Sequence, residues 1–194
     1  MAIAVDVAAS HFATDGVYHL RSESRQLDSV AWVEELDRWR HDYPIVSIED
    51  PLAEDDWEGW ELASQRMAAS VQLLGDDLFA TDIQRLERAA KAGIANAVLV
   101  KPNQIGTLSG AAEALKRARS IGYATVVSAR SGETEDSWLA DLAIGWGAGQ
   151  VKVGSTTRAK RTAKWNRILR IEHALSRHPV YARSTALAPT ASSN

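Results

Sequence analysis

Val98-Leu99-Val100-Lys101-Pro102-Asn103-Gln104-Ile105-Gly106-Thr107-Leu108-Ser109 changes character at its fourth residue. An apolar, valine-rich run from Ala97 to Val100 ends on a lysine, turns through Pro102, Asn103 and Gly106, and enters an apolar-periodic helix opened by Thr107 or Ser109. That sets Lys101 at the carboxyl end of a buried strand, the end at which α/β sheets gather their chemistry.

The same arrangement recurs on both sides. Toward the amino terminus, Val71 to Leu74 stop at Gly75-Asp76-Asp77, Ile45, Val46 and Ile48 close on Glu49-Asp50-Pro51, and the short run Ile3 to Val7 contains Asp6. Toward the carboxyl terminus, Ala124 to Val127 close on Ser128-Ala129-Arg130-Ser131-Gly132, and Gln150 to Val153 contain Lys152. Helical spacing fills the intervals: from Asp28 or Ser29 to before Pro44, through Trp57, Trp60 and Leu62 after an acidic cluster, from Thr81 or Asp82 to Gly93, up to Gly122, from Glu133 to Trp146, and from Arg158 to about Leu175. Asp15-Gly16 between Phe12 and Tyr18 predicts a tight hairpin.

From Glu49 through Asp76, Lys101 and Ser128 to Lys152 the intervals are 27, 25, 27 and 24 residues, each the length of one βα unit. Six such units, polar at the same end, predict an α/β fold of the partial TIM-type (β/α) barrel kind rather than an open doubly wound sheet. No glycine-rich phosphate fingerprint competes. Residues 1–178 form the barrel portion in this assignment, and 179–194, rich in Ser, Thr, Ala and Pro, are expected to be a disordered tail.

With 194 residues, 45% of them apolar, the chain can bury one sizeable core. Its 22 basic and 25 acidic residues give a net charge of −3, and no basic run alternates with aromatics, which argues against nucleic acid. There is no cysteine, no signal segment and no long uncharged apolar run. The expectation is a soluble cytoplasmic protein without a membrane partner.

Asp6, Glu49 and Asp76 at the strand ends would assemble a hard oxygen site suited to Mg²⁺, which relieves the repulsion of three carboxylates. Helix capping or pairing with lysine explains the same residues equally well. Lys101 and Lys152 suit a base and a carboxylate clamp, since a partly buried lysine near another cation has a depressed pKa; the plainer alternative is that they neutralise the acidic rim. Arg130 and Ser131 could hold an anion such as phosphate. The five histidines lack ligand spacing and the seven tryptophans sit mostly at core spacing on helices, so packing and surface roles account for them.

Asp6-Val7-Ala8-Ala9-Ser10, Ser47-Ile48-Glu49-Asp50-Pro51-Leu52, Gly75-Asp76-Asp77-Leu78, Lys101-Pro102-Asn103-Gln104-Ile105-Gly106-Thr107, Arg130-Ser131-Gly132-Glu133-Thr134-Glu135-Asp136 and Leu169-Arg170-Ile171-Glu172 together resemble enolase (phosphopyruvate hydratase), in the same order and at similar spacing. The resemblance runs from about Ala2 to Leu175. It implies that Asp6, Glu49 and Asp76 are Mg²⁺ ligands and that Lys101 is the base at C2 of 2-phosphoglycerate. It also implies that Lys152 faces the substrate carboxylate and that Arg130 and Ser131 contact the phosphate. The implied activity is Mg²⁺-dependent dehydration of 2-phosphoglycerate to phosphoenolpyruvate, a glycolytic lyase reaction.

The chain departs from the family pattern at Ala129, where a histidine is usual, and at His11, Pro102 and Ser155-Thr156-Thr157. Its match also begins at what corresponds to a middle barrel strand, without the family's amino-terminal domain, early strands or general-acid glutamate. A (β/α)₈ barrel typically needs about 250 residues. The expectation is therefore a carboxyl-terminal portion with little activity alone, assembling either as a homodimer or with a missing amino-terminal half. A non-catalytic enolase-like module is the alternative, and a different superfamily proton abstraction, prompted by Ala129, is a third reading.

Overall fold

Alternate residues of the strand Ala97–Val100 belong to two different cores. Val98 and Val100 pack with the large cluster that includes Trp32, Trp60, Leu73, Phe79 and Leu115, whereas Ala97 and Leu99 join Leu74, Val126 and Ala188 in a smaller one. A strand buried on both faces must be apolar throughout, which is why it reads as a continuous run. The larger core lies between sheet and helices; the smaller fills the concave side, as in a barrel interior.

The structure is a computed structural model and describes residues 2–175 and 181–188. Its strands are β1 (Ile3–Asp6), β2 (Ala13–Thr14), β3 (Val17–Leu20), β4 (Arg25–Asp28), β5 (Ile45–Glu49), β6 (Gln72–Gly75), β7 (Ala97–Val100), β8 (Ala124–Ser128) and β9 (Gln150–Lys152). Its helices are α1 (Ser29–Asp42), α2 (Trp57–Met67), α3 (Ile83–Lys91), α4 (Pro102–Ile105), α5 (Leu108–Ser120), α6 (Trp138–Gly145) and α7 (Ala159–Ala174). Six strands form one parallel sheet in the order β1-β5-β6-β7-β8-β9. It is a curled half-barrel of the TIM type, as the spacing predicts. The register sets Asp6 beside Glu49 and Ser128 beside Lys152, so the polar strand ends lie along one rim.

Helix starts follow the capping residues in the sequence. Asp28, Asp56, Asp82 and Thr107 each accept a hydrogen bond from a first-turn backbone N–H of α1, α2, α3 and α5. The Asp15-Gly16 pair, with φ of 53° and 75°, makes the two-residue turn joining β2 to β3. Strand β4 is not expected from the sequence, because Leu27 is its one apolar residue. It forms because it pairs in register with β3.

Two expectations need correction. The helix predicted from Glu133 begins only at Trp138. The carbonyl oxygens of Ser131 and Thr134 accept from the Lys160 and Lys164 ammonium groups, so these residues are drawn toward α7 rather than into a helical ladder. The expected disordered tail does not hold for residues 181–188. They include a 3₁₀ turn at Arg183–Ala186, after which Ala188 is buried and its N–H donates to Gln72 Oε1 at 3.0 Å. Residues 179–180 and 189–194 of that expectation lie outside the described residues. Among the described residues no helix is long and apolar enough to cross a membrane.

Candidate active site

Glu49, Asp76 and Lys101 end or follow β5, β6 and β7, and each is held by the loop beyond its strand. The loop after β5 is fixed by two tryptophans: Trp32 Nε1 donates to the Pro51 carbonyl at 2.8 Å and Trp60 Nε1 to the Ala53 carbonyl at 3.1 Å. Both indoles are buried, so each N–H needs such an acceptor. Asp50, at a left-handed φ of 40°, turns its carboxylate toward the next loop, where Oδ1 accepts from Asp76 N and Oδ2 from Asp77 N, both at 2.9 Å. Burial pushes the Asp50 carboxyl up to about 7, against the pull of those two amides.

The strand ends hold two lysine–carboxylate groups. Lys101 Nζ contacts Asp76 Oδ2, and Gln104 Nε2 donates to Asp76 Oδ1 at 3.0 Å. Gln104 Oε1 in turn accepts from Thr81 Oγ1, which itself accepts from the Lys101 N–H at 3.0 Å. Lys152 Nζ lies 2.7 Å from Asp6 Oδ2 and 2.7 and 2.8 Å from the two Glu49 oxygens. Burial pushes Glu49 up, offset by Lys152. Burial works against the charged Lys152, but Asp6 and Glu49 hold its ammonium above the ordinary lysine value. This is opposite to the depression that a neighbouring cation would cause.

Glu49, Asp50 and Asp76 are all buried, and each offers one carboxylate oxygen within 4.8 Å of the others. Hard oxygen donors at that separation fit a divalent cation such as Mg²⁺. Asp6, half exposed, is not within that triad; it adjoins Glu49 through the shared Lys152. The structure thus brings Asp6, Glu49, Asp76, Lys101 and Lys152 to one rim, while Asp50, Gln104 and Thr81 are participants that strand-end spacing misses. Asp50 sits next to Glu49 and Gln104 three residues after Lys101, so their place in the same motifs was the available signal.

Arg130 and Ser131 lie exposed in the loop after β8 and line a cleft of about 720 Å³ together with Pro102, Asn103, Ala129 and Trp138. The cleft adjoins the Lys101 loop through Pro102 and Asn103 but does not include Asp6, Glu49 or Asp76; Glu133, Asp136 and Lys164 line it as well. Ala129 contributes a methyl where a longer side chain would narrow the space.

Parallel strands with a lysine–carboxylate rim, a hard-cation triad and a neighbouring cleft that carries Arg130 suit proton abstraction beside a carboxylate. Residues 1–190 match the family model described as enolase, C-terminal TIM barrel domain, and the chain belongs to that family.

Proposed function

We propose that the chain carries the proton-abstracting site of an enolase-type carbon–oxygen lyase, which dehydrates 2-phosphoglycerate to phosphoenolpyruvate in glycolysis. The observation that carries this is the pairing of Lys101 with Asp76, beside Lys152 bridging Asp6 and Glu49, at the ends of parallel strands in a chain of this family. Asp6, Glu49 and Asp76 would hold Mg²⁺, which when bound would supply positive charge beside the substrate carboxylate. Lys101 accepts the C2 proton; the electron pair left on C2 spreads into the substrate carboxylate, and its return forms the C2–C3 double bond as hydroxide leaves from C3. The Lys152 ammonium faces the substrate carboxylate and draws off the charge that spreads into it. Arg130, by a two-pronged hydrogen bond, and Ser131, by its hydroxyl, orient the phosphate.

Conversion of 2-phosphoglycerate by the purified chain, followed by the ultraviolet absorbance of phosphoenolpyruvate with and without Mg²⁺, tests the proposal. Lys101→Ala should abolish turnover and Asp76→Ala should weaken the response to Mg²⁺; undiminished turnover in Lys101→Ala removes the base assignment. One observation favours a second reading. The lysines and carboxylates already neutralise one another, as they would in a non-catalytic module that keeps the cation site. Mg²⁺ binding by calorimetry without turnover, even when the chain is mixed with the amino-terminal half of a family member, would select it.

A further inference from the structure

The loop from Arg130 to Asp136 has few hydrogen bonds of its own, and α7 supplies its main polar anchors through two lysines one helical turn apart. Lys164 is almost fully enclosed, with a side chain 4% exposed. Its ammonium donates to the carbonyl oxygens of Thr134 at 2.5 Å and Lys160 at 2.7 Å, and stands 3.0 Å from Glu133 Oε2. Two carbonyl acceptors and one carboxylate charge thus surround the ammonium. Glu133 Oε2 makes no hydrogen bond among the described residues, so its enclosure is offset by the Lys164 charge. Lys160 Nζ donates to the Ser131 carbonyl at 2.8 Å. The two lysines therefore grip the loop at 131, 133 and 134, on the residues that follow Arg130. Helix α7 is itself tied to α6 by Arg167, whose guanidinium forks onto both Asp141 oxygens.

We propose that Lys164, together with Lys160, is a positioning residue for an anion site: α7 sets where the Arg130 guanidinium and Ser131 hydroxyl meet an anionic ligand in the cleft. This rests on the proposed role of Arg130 and Ser131 as phosphate contacts. Lys164 lines the cleft, but its donors are already engaged with the loop and with its own helix, so it acts through the loop. A buried charge left unpaired is strongly destabilising, so Lys164→Met alone could fail to fold. Lys164→Met combined with Glu133→Gln removes both charges, and Lys160→Met tests the second grip at a more exposed position.

Hydrogen exchange of the amides of residues 130–136 in the full chain reads the grip without a ligand, and calorimetric titration with inorganic phosphate reads its consequence. Exchange in the loop should accelerate about tenfold in both variants and stay unchanged in β6 and β7, while phosphate binding weakens about tenfold, the scale of outer-layer effects on a binding site. Lys164→Arg, which keeps the charge, should recover most of the affinity. If the wild-type chain binds phosphate and both folded variants bind it equally tightly, the positioning role is overturned and the Arg130–Ser131 assignment stands. If the wild-type chain binds no phosphate, that assignment has failed and the proposal falls with it.

Discussion

At Gly75 a β-carbon would lie 2.6 Å from two ring atoms of Phe79, which is itself fully buried. A glycine there lets the Phe79 ring pass beneath the end of β6 and leaves Asp76, the next residue, facing the rim. Gly75→Ala should destabilise the fold by about 1–3 kcal/mol, as overpacking of a full core does. It should also weaken divalent-cation binding, because the ring cannot retreat without moving the strand end. Chemical denaturation and Mg²⁺ titration measure the two effects, and a variant unchanged in both would show that Phe79 has room to yield. Residue-scale chemistry was only partly legible in the sequence. Glu49 and Asp76 stood out as charges ending apolar runs. Asp50 was passed over because its role depends on the loop after β6, whose amide groups it brackets from 26 residues away in the chain.

Among the elements, α1 illustrates how a helix reaches beyond its own apolar face. Its Glu35 carboxylate, nearly enclosed, contacts Arg38 and accepts from Arg25 of β4 at 3.1 Å and from Trp39 Nε1 at 3.0 Å. Arg38, against the opposing effect of burial and with help from Arg25 and Trp39, holds this carboxyl below the usual range. A lowered folded-state pKa stabilises the protein above the unfolded carboxylate value of about 4.3, and that contribution is lost as pH falls through the folded value. Glu35→Gln should therefore narrow the difference in urea midpoint between pH 7 and pH 3. An unaltered difference would mean that Glu35 titrates alike in both states. Helix starts were readable because each cap is a local hydrogen bond within three residues of its acceptor. The late start of α6 was not, because the competing donors lie on α7, 29 and 30 residues farther on.

On the scale of the whole molecule, the concave face of the sheet is lined by Leu74, Ala97, Leu99 and Val126, and Ala188 packs on it from the far end of the described chain. A pair of glutamines latches that segment: Gln150 Nε2 donates to the Ala186 carbonyl and to Gln72 Oε1, both at 2.8 Å, and Gln72 Oε1 also accepts from Ala188 N. Ending the chain after residue 180 should lower stability, and Gln72→Ala should cost about 1–3 kcal/mol in the full chain, as expected when a buried polar group loses its partner. In the shortened chain the same substitution should cost less, by a coupling of about 0.5–1.5 kcal/mol. Strictly additive losses in denaturant midpoints would show that the segment does not depend on the latch. The sequence by itself determined the order of the six rim strands and the long helices between them, the barrel-type alternation and the line of polar residues along one rim, because apolar period, caps and turns are local in the chain. Only the tertiary structure decided which charges meet: Lys152 on one edge strand reaches Asp6 on the other, 146 residues away, across a sheet that curls. Spacing along the chain places both at strand ends, but the curl of the sheet makes them neighbours.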